Sequence, residues 1–193
     1  MPSSADGDPA LQRLLSDGVA SALRRASSLG SVPTVILVDG RSGAGKSTFA
    51  AMLAASFDEA ALVALDEIYP GWDGLRQGAD TALTQVIRPV LAGRAGEWET
   101  WDWARGIPSG RRRVVGPAPV LIVEGAGVLT PASAAVADVR VWLDAPARTR
   151  RERALRRDGD AYRPHWERWA AQEEDHLRAH GPRDLADVVL DLP

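Results

Sequence analysis

Leu11, Leu14, Leu15, Val19, Ala22 and Leu23 recur at helical spacing near the start of the chain, predicting an amphipathic helix that ends near Gly30. The period then changes. Thr34-Val35-Ile36-Leu37-Val38 is a short β-branched run, and further strand-sized apolar runs stand at Ala61–Leu65, Val120–Val123, Val139–Leu143 and Val188–Leu190. Helical stretches are expected between them, at about 75–93, 146–158 and 164–180. Strands apolar on both faces that alternate with helices predict an α/β fold, a parallel sheet covered by helices on each side. The segment 94–117, rich in Gly, Arg and Trp, breaks the alternation and reads as an insertion over one end of the sheet. Ligands of open α/β sheets bind at the carboxyl ends of the strands. Residues 1–8, rich in Ser, Asp, Gly and Pro, are expected to be disordered.

Composition narrows the possibilities. A chain of 193 residues is most simply one domain with a self-sufficient core. It has no cysteine, which excludes disulfides, thiolate zinc sites and a cysteine nucleophile. A formal net charge of −3 argues against a broad nucleic-acid surface. No apolar run approaches a membrane span and nothing near the N-terminus resembles a signal peptide, so no membrane partner and a cytoplasmic location are expected. The oligomeric state is left open.

Lys46 is the only lysine in the chain, and it sits in Gly40-Arg41-Ser42-Gly43-Ala44-Gly45-Lys46-Ser47, a complete GxxxxGKS phosphate loop. The composition uses arginine wherever a bare charge suffices. A compact ammonium between β- and γ-phosphates is a task a guanidinium fork fits poorly. Strand, glycine loop and helix follow in the required order. Gly40, Ser42, Gly43, Ala44, Gly45, Lys46, Ser47 and Thr48 are therefore the expected phosphate contacts. Backbone N–H groups of residues 43 to 48 would face the anion, the glycines would permit close approach, and the Ser47 hydroxyl would meet Mg2+.

Two acids end strands beside this loop. Asp66, in Val63-Ala64-Leu65-Asp66-Glu67-Ile68-Tyr69, is placed to accept the proton of an attacking hydroxyl or to help hold Mg2+; the competing reading is a helix N-cap. Glu124 closes Val120-Leu121-Ile122-Val123 and precedes Gly125-Ala126-Gly127, as a Walker-B-type metal carboxylate would. Arg153, Arg156 and Arg157 share a helical face, and a lid over residues 148–160 could bring them to transferring phosphates. In Trp98-Glu99-Thr100-Trp101-Asp102-Trp103-Ala104-Arg105 the indoles suit either a planar ligand or a small satellite core. His165, His176 and His180 are expected to be surface or capping residues.

Together these residues resemble the uridine kinase-like branch of the P-loop kinases, over nearly the whole chain from Thr34. Leu65-Asp66-Glu67-Ile68-Tyr69 resembles that family's strand-end Asp-x-Phe-Tyr, and Ile122-Val123-Glu124-Gly125 its Val/Phe-Glu-Gly step. Arg153-Ala154-Leu155-Arg156 resembles its lid helix, and Ala186-Asp187-Val188-Val189-Leu190 its closing strand. The resemblance implies a P-loop NTPase three-layer α/β/α sandwich with a five-stranded parallel sheet. It implies Asp66 as base and Mg2+ neighbour, Ser47 and Glu124 serving the metal, and lid arginines clamping phosphates. Trp101-Asp102-Trp103 resembles the family's Tyr-Asp-Phe, whose aromatic contacts the nucleobase. The family's nearby histidine is absent, with Arg105, Gly106 and Ile107 in its place, and the lid is shorter.

The expected activity is a Mg·ATP-dependent kinase acting on a hydroxyl of a small molecule, first a nucleoside. Lys46, Asp66, Arg153 and Arg157 are the expected catalytic residues, with Arg156 on the nucleotide. Asp66, Tyr69, Trp72, Trp101, Asp102 and Arg105 are the expected acceptor contacts. A sugar acid, a vitamin precursor or a nucleotide are alternative acceptors, and an accessory ATPase or switch is the alternative without one.

Overall fold

The computed structural model describes residues 9–193; the disorder expected for residues 1–8 lies outside the described residues. The chain opens with α1 (Pro9–Leu29), then β1 (Thr34–Gly40), α2 (Lys46–Ala54) and β2 (Ala61–Ala64). From α3 (Leu75–Thr81) the helix passes through a π-helical stretch, Ala82–Ile87, into α4 (Arg88–Leu91). A hairpin of β3 (Gly96–Asp102) and β4 (Ile107–Val115) follows, then β5 (Val120–Glu124), α5 (Pro131–Ala134) and β6 (Val139–Asp144). The chain closes with α6 (Ala147–Asp158), α7 (Trp166–His180), α8 (Pro182–Leu185) and β7 (Val188–Asp191).

Five strands form one parallel sheet in the order β2-β5-β1-β6-β7. β1 is buried along its whole length because both faces are covered. Val35 and Leu37 point into a core shared with α3, α7 and β5, whereas Ile36 and Val38 pack with Leu15 and Val19 of α1 and Phe49 and Leu53 of α2. This period-2 division of one strand between two cores is what a three-layer sandwich requires. The fold is thus the expected α/β/α sandwich. The boundaries of these five strands lie within two residues of the sequence expectation, whereas β3 and β4 are not among the strands expected.

β1 lies between β5 and β6, while the chain leaving β1 travels outward to β2. That reversal is a topological switch point, and it opens a crevice at the strand carboxyl ends. The register places Glu124 beside both Val38 and Ala64, so three strand ends meet there. Segment 94–117 is the separate antiparallel hairpin β3–β4, seated against the π-helical stretch through the close approach of Gly96 to Val86. No described helix is long and apolar enough to cross a membrane.

Candidate active site

The glycine loop turns from β1 into α2, whose first-turn amides have no acceptor within the helix by the geometry of helix starts. Gly43 has φ +79°, and a Cβ there would lie 2.1 Å from the carbonyl oxygen of Arg150. A Cβ on Gly40 would lie 2.2 Å from the carbonyl oxygen of Leu143. The close approach expected toward a ligand is, at these two glycines, an approach to the protein's own backbone. The loop is wedged against β6 and α6.

Two of the expected phosphate contacts already have their N–H groups engaged. Ser42 N–H donates to Oε1 of Glu173 at 2.6 Å, and Ala44 N–H donates to the carbonyl of Arg41 at 3.0 Å. Lys46 Nζ reaches the same Arg41 carbonyl at 3.2 Å, which keeps it over the loop. Thr48 follows on α2 and does not line the cavity described below.

Beneath the loop lies a polar layer that the sequence did not disclose. Glu173, on α7 and 2% exposed, also accepts from Arg41 Nε at 3.1 Å, and Arg150 Nη1 stands 3.9 Å away. Arg150 is itself buried, donating to the carbonyls of Ala145 (3.0 Å) and Ser42 (3.4 Å). One turn further along α7, His176 Nε2 meets Asp39 Oδ2 at 2.9 Å. Asp39 is fully buried and accepts N–H bonds from Gly40, Gly127 and Leu129, tying the loop's entrance to the turn after β5. His176 is therefore an internal strut, correcting the expectation of a surface or capping residue. His165 stacks on Trp72 at 4.3 Å.

A cavity of about 470 Å3 joins this loop to an aromatic wall. Ser42, Gly43, Lys46 and Ser47 line one end; Asp66, Glu67 and Glu124 lie between; Tyr69, Trp72, Trp103, Tyr162 and Trp169 line the rest, with Arg157 and Asp158. Ser47 Oγ donates to Oε1 of the buried Glu124 at 2.9 Å. Burial pushes the Glu124 carboxyl up, while Lys46 pulls it down and Asp66 pushes it up. A hydroxyl and carboxylates form an all-oxygen donor set, which suits Mg2+. Asp66 is the middle residue of the short turn Leu65–Glu67 and not its cap: the N-cap is Ala64 and no side chain caps it. The exposed Asp66 carboxylate lines the cavity.

The remaining expected residues divide. Tyr69 is buried, its hydroxyl donating to the Ala126 carbonyl at 2.7 Å, and burial together with nearby carboxylates raises its pKa well above the usual phenol value. Trp72 is in the wall; its neighbour Asp73 pairs with Arg168 and does not line the cavity. Trp101 packs on Gly71 and is not among the lining residues; Trp103 is, and its Nε1 donates to the Asp66 carbonyl at 3.1 Å. Asp102 accepts from Arg105 N–H at 3.0 Å, so these two close the hairpin turn and do not reach the cavity. Trp98 joins the main core.

Of the three arginines, only Arg157 lines the cavity, bound at two points by Asp158 (2.8 and 2.7 Å). Arg153 donates to the Pro193 carbonyl at 2.8 Å, and Arg156 is exposed. They do not project together as a cluster, because the C-terminal segment after β7 lies beside α6 and captures Arg153. The residues missed from sequence are Asp39, Glu173, Arg150, Tyr162 and Trp169. The only local signal for any of them was the buried-type spacing Trp166, Trp169, Glu173, His176 on α7.

No family model matches the chain. Among solved structures it is similar to a protein described as a possible uridine kinase from Bacillus stearothermophilus, with a TM-score of 0.65 and 19% identity over 92% of this chain and 99% of that one. It is also similar to a candidate fructose transport system kinase from Silicibacter sp. TM1040, with a TM-score of 0.60 and 22% identity over 91% and 98% of the two chains. The molecule shares the fold of these neighbours.

Proposed function

We propose that the protein is a Mg·ATP-dependent kinase that phosphorylates a hydroxyl of a small molecule. The observation that carries this reading is the single cavity in which the phosphate loop, Asp66, Glu124 and an aromatic wall meet. Lys46 and the first-turn amides of α2 would hold the phosphates, and Ser47 with Glu124 would hold Mg2+, which neutralises charge on the phosphates when bound. Asp66 would take the acceptor's proton, and Arg157, which lines the cavity, would stabilise the equatorial oxygens. Five aromatic side chains line the acceptor end, and a bound acceptor would displace water from that wall, which supports transfer to an alcohol over hydrolysis by a switch.

Acceptor-dependent ADP release tests this. Asp66→Asn is expected to lose transfer by at least about a hundredfold while still binding an ATP analogue. Release of ADP at the same rate with and without any acceptor would overturn the kinase reading. The nucleoside first expected from the resemblance requires room for a flat base, and the arrangement of rings weighs against it.

A further inference from the structure

Resting on the kinase reading, we propose that the acceptor is a small alcohol carrying an ammonium group, an amino alcohol or amino sugar. Three properties of the acceptor end support this class: ring geometry, committed donors and charge.

A nucleobase is gripped between parallel rings or laid on an open one. Here the near-parallel neighbours of Trp72 are Tyr162, at 5.3 Å and 14°, and His165, at 4.3 Å and 12°. Those separations are direct ring contacts with no space for a base between them. The other rings are inclined: Trp72 meets Trp103 at 60° and Trp169 at 88°. Inclined indoles form a corner, which suits a rounded group.

Three donors that would read a carbonyl or carboxylate on the acceptor are already committed. Trp103 Nε1 bonds the Asp66 carbonyl, the Tyr69 hydroxyl bonds the Ala126 carbonyl, and Arg157 is held at two points by Asp158. An incoming acceptor carboxylate or phosphate would have to share Arg157 with Asp158 and with the transferring phosphate. Sugar acids and nucleotides are thereby disfavoured.

Charge points the same way. The cavity carries four carboxylates, Asp66, Glu67, Glu124 and Asp158, against Lys46 and Arg157 in its lining, with Arg113 pairing Glu67 at 3.3 Å from the exposed side. Lys46 belongs to the phosphate end. Carboxylates beside inclined indoles recognise a cation, through ion pairing and through the ring faces. In the transfer itself the acceptor O–H gives its proton to Asp66. Its oxygen bonds the γ-phosphorus as the bond from that phosphorus to the β-bridging oxygen breaks, and ADP leaves.

The test is acceptor-dependent ADP release by the whole chain with Mg·ATP and matched acceptors: choline against 3,3-dimethylbutanol, ethanolamine against ethylene glycol and glycolate, glucosamine against glucose and glucuronate, and uridine. A cationic member is expected to lead, exceeding its neutral partner by about tenfold or more in kcat/KM. Trp103→Leu and Glu67→Gln should each shrink that ratio while leaving the affinity for an ATP analogue unchanged, which also verifies that they fold. Preference for uridine, a neutral or an anionic member overturns the acceptor class and leaves the kinase reading standing. Turnover of no cationic alcohol in the panel also overturns it.

Discussion

Glu173→Gln is the most informative single substitution, because it keeps shape while removing the charge beneath the phosphate loop. The wild-type carboxylate accepts from Ser42 N–H at 2.6 Å and from Arg41 Nε at 3.1 Å. The amide retains one oxygen, so one of these donors is left facing an NH2 group. A hydrogen bond involving a charged partner contributes about 1.5–3 kcal/mol. Relief from burying a carboxylate offsets part of that, and Arg150 keeps its bonds to the carbonyls of Ala145 and Ser42. A net cost of about 2 kcal/mol follows, which in a chain of this size lowers Tm by roughly 4–8 °C. The larger effect should be on the loop itself. If Ser42 is released, the free loop samples other conformations, and a bias of about 1.4 kcal/mol weakens ATP tenfold. Scanning calorimetry and titration with a non-hydrolysable ATP analogue read both quantities. Glu174→Gln is the control: it also pairs with Arg41, at 3.1 Å, but is 53% exposed and should cost no more than about 0.5 kcal/mol. A Glu173→Gln variant with wild-type Tm and wild-type nucleotide affinity would refute the idea that α7 holds the loop.

Gly43→Ala should be worse than its one carbon suggests, since the methyl meets the Arg150 carbonyl at 2.1 Å and the residue has φ +79°; loss of ATP-analogue binding checks this, and retained wild-type affinity would contradict it. Lys46→Ala should cut turnover severely and leave Tm within about 2 °C, because the side chain's described bond is one contact to a carbonyl within its own loop. Burial pushes the Asp187 carboxyl up, but the side-chain and backbone bonds of Arg140, with Arg25 nearby, hold it below its ordinary value of 3.8. A depressed carboxylate stabilises above its unfolded pKa and loses that contribution as pH falls through the folded one. Asp187→Asn should therefore be less stable than wild type at pH 7, and the two urea midpoints should converge below about pH 4; a constant gap across that range would exclude the linkage.

The parts legible in the sequence are those encoded locally. The glycine loop, Asp66 and Glu124 each declare themselves within a few residues, because a strand end fixes where the next side chain points. The polar layer was not legible. Glu173 bonds a loop 131 residues away and His176 meets Asp39 across 137, and no periodicity reports such a pairing. The Trp-rich segment failed for a different reason. The strand register shifts between Glu99 and Trp101, so strand alternation does not carry over from Trp98 to the later indoles. Trp98, before the shift, joins the core, and Trp103, just past the end of β3 in the hairpin turn, is the indole in the cavity wall.

Trp169, Glu173 and His176 lie three and four residues apart on α7, so one rigid rod touches the acceptor wall, the phosphate loop and the strand that feeds it. This has an evolutionary corollary. Substitutions that reshape the acceptor end at Trp169 will shift the rod and be felt as altered nucleotide affinity. Their effects should be non-additive with changes at Arg41 or Asp39. New acceptors would then be reached most readily through the hairpin, where Trp103 can be exchanged without disturbing the rod. Lineages on this scaffold should diversify there first, leaving α7 as the slowest part of the site to change.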